Sequence, residues 1–198
     1  GNGGAGTSIT LSGNVGSIID WEQSYNGGAW ISVGSSSNPL TRTAASMSNS
    51  TNSIVTYSYR ARVNTTGPTC TNAYSTPITI TVQPTPSIVL STSAASTLCE
   101  GTMINLSSVV NGVVSGARYR LVTNGTPGSW SNTVPSIVSL TPSVPTTTYE
   151  LEVQNPDGNG GYCTVVTSNT ITFTVNQLPT GTFSGTTVCL GQVTVFTG

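Results

Sequence analysis

The sequence predicts an all-β protein made of tandem antiparallel β-sandwiches. Three observations predict it. Apolar residues alternate with Ser and Thr at a period of two, as in Thr147–Val153, Ile171–Val175, Ile78–Val82 and Met103–Leu106, the pattern of half-buried strands. No window carries a helical stripe. The chain also repeats itself at a spacing of 90–95 residues, and repeats of a few tens of residues or more mark arrays of one structural unit.

The repeat is read by sliding the chain on itself. Cys70 through Val82 lies over Cys163 through Val175 without a gap, 93 residues on. Tyr59-Arg-Ala-Arg-Val63 lies over Tyr149-Glu-Leu-Glu-Val153 at 90, and Thr7–Leu11 over Thr102–Leu106 at 95. Leu98-Cys99-Glu100-Gly101 recurs as Val188-Cys189-Leu190-Gly191. These segments divide the chain into a first module at 1–83, whose first strand and first cysteine are missing, a complete module at 84–176, and the opening strands of a third at 177–198. Both ends read as cut from a longer array. Gln83-Pro84-Thr85-Pro86 and Gln177-Leu178-Pro179 mark the joints, where proline stiffens the link and removes backbone donors.

Within the complete module, strands are expected near 87–92, 102–110, 117–123, 129–134, 136–140, 147–154 and 170–175. Turn signals separate them at Asn111-Gly112, Asn124-Gly125, Pro127-Gly128 and Pro156-Asp157-Gly158. Seven short strands in one such module fit an immunoglobulin-like sandwich. Leu140-Thr-Pro142 ahead of Tyr149 resembles the tyrosine corner of such sandwiches, whose phenol bonds back to upstream backbone. Tyr59 is expected to play that part in the first module and Tyr149 in the second. Trp21 and Tyr119 fall at the core position of the third strand, with Trp30 and Trp130 on the strand after it.

Composition excludes several functions. Charged residues are 6% of the chain, the five basic residues are all Arg, and His is absent. A net charge of −1 offers no footprint for nucleic acid, which needs clustered Lys and Arg. Without His there is no imidazole base or ligand. No apolar run approaches the roughly 18 residues of a membrane span, so no membrane insertion is expected. Ser and Thr, roughly a third of the chain and far above average usage, supply the solvation that charges usually do, and Thr suits a pleated, half-exposed surface.

The chain resembles the tandem Ig-like or PKD-like repeats of very large cell-surface proteins of Bacteroidetes. Cys99-Glu100-Gly101, Tyr149-Glu-Leu-Glu-Val153 and Gly161-Tyr-Cys163 carry the resemblance, which extends over both modules. It implies an extracellular, cell-surface location, export by the type IX route, and adhesion or stalk building, as in gliding-motility adhesins. The missing first cysteine of module one departs from the pattern. So does Ile18-Ile-Asp-Trp21 where the second module has Ala117-Arg-Tyr-Arg120.

Four cysteines in such a protein favour disulfides over metal. Within the complete module the expected bond is Cys99–Cys163, which leaves Cys70 and Cys189 unpaired in this chain. A bond of that loop length contributes about 2–4 kcal/mol. A simple sandwich puts the two residues at opposite poles, roughly 20–25 Å apart, unless the segment after Cys163 folds back as a loop. Pairing across the joints, Cys70–Cys99 and Cys163–Cys189, is the alternative.

Acidic residues are few. Asp157-Gly-Asn-Gly160 offers one carboxylate and reads as a turn, not a calcium loop, since calcium needs several clustered oxygens. Glu150 and Glu152 are expected to face Arg118 and Arg120 across the sheet. No carboxylate pair faces another across a cleft, and no base stands ready to activate a hydroxyl, so neither catalysis, cofactor nor metal is expected. The leading expectation is a stiff, non-catalytic spacer and adhesive repeat whose partners are neighbouring repeats. The rival is a module that binds surface polysaccharide or protein through Trp30 or Trp130. A third is a fibre subunit whose open module accepts a neighbour's strand.

Overall fold

A computed structural model describes residues 6–64, 73–135 and 137–181. They form an all-β chain of two immunoglobulin-like sandwiches in series, each around its own hydrophobic cluster. The first contains β1 (Thr7–Ile9), β2 (Ser17–Tyr25), β3 (Ile31–Ser32), β4 (Leu40–Arg42), β5 (Val55–Asn64), β6 (Ala73–Tyr74) and β7 (Ile78–Val82). The second contains β8 (Ser87–Thr92), β9 (Thr97–Cys99), β10 (Leu106–Asn111), β11 (Arg118–Thr123), β12 (Thr126–Pro127), β13 (Thr146–Gln154), β14 (Val166–Thr167) and β15 (Ile171–Asn176).

β5 shows why alternation is decisive. Val55, Tyr57, Tyr59, Ala61 and Val63 are buried while the residues between them are not. β13 does the same with Thr147, Tyr149, Leu151 and Val153. Because strand side chains point to opposite faces in turn, each strand gives one face to the core. Trp21, Tyr59, Leu151 and Phe173 are 0–2% exposed, and each such side chain contributes roughly 2–3 kcal/mol by burial.

In the second sandwich β12, β11, β13, β15 and β9 form one sheet in that order, with β14 also on β13, and β10 with β8 forms the facing one. In the first, β3, β2, β5 and β6 pair in order with β7 also on β5, while β1 and β4 face them. Both β2 and β11 end in an Asn-Gly turn with positive φ at each residue, Asn26-Gly27 and Asn124-Gly125, as a two-residue hairpin of matching twist requires. The turn asparagine then braces the next strand. Asn26 exchanges two hydrogen bonds with the Thr56 backbone, and Asn124 does so with Thr148.

Three expected strands change. The 102–110 strand begins only at Leu106, and 129–134 shrinks to a bridge between Ser131 and Tyr119. The 136–140 strand shrinks to a bridge between Ile104 and Leu140. Pro135 lacks a donor, and Ser139 has φ 57°, so the backbone there cannot hold a ladder. The turn at 156–161 is as expected, with Asp157 Oδ1 accepting from the Asn159 and Gly161 amides.

The structural repeat is also offset from the sequence repeat. Trp21, Glu22 and Asn26 match Tyr119, Arg120 and Asn124, while Thr56, Tyr57 and Arg60 match Thr148, Tyr149 and Glu152, as the Asn-Gly braces and cross-strand pairs establish. Tyr149 therefore corresponds to Tyr57 and not to Tyr59. A slide of two residues leaves the inside–outside pattern unchanged, so alternation cannot detect it.

Candidate functional site

The chemistry of the sheet surface gathers on β2–β5 and β11–β13. Arg60 Nη2 lies 2.6 Å from Glu22 Oε2, and Arg120 Nε lies 2.5 Å from Glu152 Oε2. The basic residue sits on β5 in one sandwich and on β11 in the other, so the two pairs occupy the same place with charges exchanged. Arg118 bonds the Gln154 side-chain oxygen through both Nε and Nη2. It does not face Glu150, which instead accepts from Thr170 Oγ1, a correction that follows from the register Arg118↔Gln154.

The tryptophans lie on these arginines. Trp30 has the Arg60 guanidinium 4.3 Å from its ring centre, and Tyr74 stacks on the same guanidinium at 4.0 Å. Trp130 covers Arg118 at 4.6 Å and Arg120 at 4.3 Å, and Tyr162 stacks on Arg118 at 3.6 Å. Each is a tryptophan–arginine–tyrosine ladder. Guanidinium stacking on a partly desolvated ring is worth about 0.5–2 kcal/mol. Trp30 and Trp130 are half-buried, and the arginines pin both indoles to the sheet. In contrast, Trp21 is core, and its indole N–H donates to the Ser37 carbonyl.

The tyrosine corner of the first sandwich belongs to Tyr57. Its hydroxyl donates to the Ser48 carbonyl at 2.7 Å. Tyr59, expected in that role, donates to Gln23 Oε1 and accepts from Arg42 Nε. The correction has the two-residue slide as its cause. Tyr149 is buried and packs edge-on against Phe173. Burial raises the Tyr57 phenol above its ordinary pKa, with Tyr25 and Tyr59 adding to it, and burial raises Tyr119 and Tyr149 likewise.

Cys99 and Cys163 are free thiols, which corrects the expected intramodule bond. Cys99 pairs with Asn176 at the end of β15, whereas the Cys163 amide donates to Asn155 just beyond β13. The segment after Cys163 does not fold back. It follows β13 down its length, through Ser168 bonded to Leu151 and Val175 bonded to Pro145. Those contacts span ten residues of β13, about 30 Å, far beyond the roughly 7 Å between Cα atoms that a disulfide allows. Burial pushes the Cys163 thiol pKa up, and Asp157 adds to it. Cys70 and Cys189 lie outside the described residues, as does the expected third-module opening from residue 182 on. Among the described residues no three of His, Cys, Asp or Glu are grouped to hold a metal.

Sequence reasoning marked the joint but missed its clamp. Asn155 is fully buried and donates to the carbonyls of Pro84 (3.0 Å) and Gly112 (2.8 Å), while its Oδ1 accepts from the Val114 amide. Gly112 has φ 67°, and a Cβ there would stand 2.9 Å from the Thr85 oxygen. Pro84 and Pro86 are buried. The link between sandwiches is thus packed onto the second one. An Asn directly before Pro156 was the available signal, though Asn-Pro usually announces only a turn.

No curated protein matches the chain. Among solved structures the chain is similar to one described as Clostridium thermocellum CbhA fibronectin(III)-like modules. That likeness has 15% identity and a TM-score of 0.32, over 88% of this chain and 87% of that one. Residues 1–84 match a family model described as a domain of unknown function, DUF8696.

Proposed function

We propose that the chain is a non-catalytic spacer and adhesive repeat of a large bacterial cell-surface protein, holding a distal adhesive region away from the cell. The observation that carries this reading is the clamped joint. A linker whose prolines are buried and whose carbonyl is held by Asn155 resists bending in a way that a solvated linker does not. Repeated along an array, such joints give a rod. The sequence resemblance to surface adhesins supports a rod outside the cell with neighbouring repeats as its partners. Residual dipolar couplings test it: both sandwiches share one alignment tensor if the joint is stiff. Separate tensors for residues 7–82 and 87–176 would defeat the spacer.

A second reading is favoured by the paired ladders. Trp30 and Trp130 keep the same seat although the charges beneath them change strands, so the retained feature is the indole platform. Flat, half-exposed indoles backed by guanidiniums suit the faces of sugar rings in a surface polysaccharide. Titration of such polymers against tryptophan fluorescence is expected to show saturable quenching that Trp130→Ala reduces. An unaltered signal with every polymer rejects the platform.

A further inference from the structure

Arg118 differs from the other guanidiniums of the two ladders in what stands opposite it. Arg60 meets Glu22 and Arg120 meets Glu152, so each of those cations has its counter-charge in the sheet. Arg118 faces Gln154, a neutral amide, and among the described residues it makes no ion pair. Glu150 shares that face of β13 but lies four residues from Gln154, about 13 Å along the strand. That exceeds the screening length of about 8 Å at physiological salt. Asp157 turns its Oδ1 to the amides of Asn159 and Gly161. The ladder of the second sandwich therefore holds one cation without a paired counter-charge. The residue of the first sandwich that corresponds to Arg118 is an acid, Asp20, opposite Arg62.

That cation is also held still. Its Nε and Nη2 both donate to Gln154 Oε1, at 3.0 and 2.9 Å. Gln154 is 8% exposed, and its amide nitrogen donates to the Cys163 carbonyl at 2.7 Å, which fixes the end of the amide that Arg118 meets. Trp130 and Tyr162 stack on the guanidinium. A guanidinium is a rigid planar fork of N–H donors, and Gln154 occupies only the side edge made by Nε and Nη2. The end edge, one hydrogen from each Nη, bonds no acceptor among the described residues. Arg118 is partly exposed, and none of its nitrogens is a buried atom lacking a partner, so that edge is open to solvent. Its two parallel donors match the two oxygens of a carboxylate. We propose that Trp130 and Arg118 together take a uronic-acid residue of an acidic polysaccharide, its ring face on the indole and its carboxylate on the open edge of Arg118. This rests on the platform reading and narrows it to one class of sugar. A net charge of −1 gives the chain no long-range pull on polyanions, so selection depends on this contact. The first ladder, with Arg60 neutralised by Glu22, takes no part in it.

Two uronic-acid polymers, polygalacturonate and alginate, are titrated against the tryptophan fluorescence of the full chain. Their methyl esters, which keep the rings and remove the charge, are titrated beside them. Expected is an affinity for at least one acid form about tenfold above that for its ester, the equivalent of one charge-assisted contact. Arg118→Gln should bring that ratio to within about twofold. Trp130→Ala should weaken both forms, and Trp30→Ala should leave the ratio unchanged. Circular dichroism and urea midpoints show whether each variant folds. Arg118→Lys, which keeps the charge and loses the fork, should give an intermediate ratio and serves if the Gln variant unfolds. Equal binding of acid and ester, weakened by Trp130→Ala, keeps the platform and overturns the uronic-acid proposal. A preference for the acid that survives Arg118→Gln in a folded chain overturns it too. No quenching by any of the four polymers also overturns it, and the platform reading then depends on neutral polysaccharides alone.

Discussion

Arg120 and Glu152 meet at 2.5 Å across β11 and β13, directly beneath the indole of Trp130. The first sandwich holds the same pair in reverse, as Glu22 and Arg60 beneath Trp30. The one chain thus holds the pair in both directions.

Exchanging the pair should therefore be tolerated. Glu152→Arg alone sets a third guanidinium against Arg118 and Arg120 and is expected to cost about 1–2 kcal/mol, whereas Arg120→Glu with Glu152→Arg should fall within about 1 kcal/mol of the parent. Trp130 still rests on Arg118 in the double variant. Urea midpoints of the four chains of the cycle decide it, and equal losses in single and double variants would mean that direction matters.

Asn155→Ala should be the most damaging polar substitution in the second sandwich. It leaves the Pro84 and Gly112 carbonyls, both buried, and the partly buried Val114 amide without their partner. Unsatisfied buried groups predict a loss of roughly 2–4 kcal/mol. A thermal midpoint within a degree of the parent would show that the clamp contributes nothing.

The two described thiols should differ in reactivity. Cys99 is exposed, while Cys163 is partly covered and its pKa is raised by burial and by Asp157. Since the thiolate is the nucleophile, iodoacetamide at neutral pH should modify Cys163 roughly tenfold more slowly than Cys99. Timed alkylation followed by peptide mass spectrometry gives both rates, and equal rates would contradict the burial of Cys163.

Alkali should unfold the chain. The folded pKa values of Tyr57, Tyr119 and Tyr149 are raised, so the folded state holds their protons more tightly than the unfolded chain, where phenols titrate near 10. Their contribution is fully present below about pH 10 and is lost as pH rises through the folded values. Denaturant midpoints should fall above about pH 10, less steeply in Tyr119→Phe. A chain with no His has no side chain that ordinarily titrates between pH 5 and 8.

Period-two alternation determined the all-β class, the buried faces of β5 and β13 and the Asn-Gly turns, because each depends only on neighbours along the chain. Self-similarity revealed the repeat for the same reason. Tertiary structure alone decided the rest. Tyr57 took the corner from Tyr59 because a two-residue slide keeps every side chain on its face and is invisible to pattern. Arg118 chose Gln154 over Glu150 because register is set by the whole ladder, not by charge. Cys99 and Cys163 stayed apart because β9 and the segment after β13 end at opposite poles of one sheet. Asn155 became the clamp of the joint because Pro84 and the Gly112–Val114 turn, far from it and from each other in sequence, bring their backbone groups to its side chain, and no local rule of composition or spacing encodes that meeting.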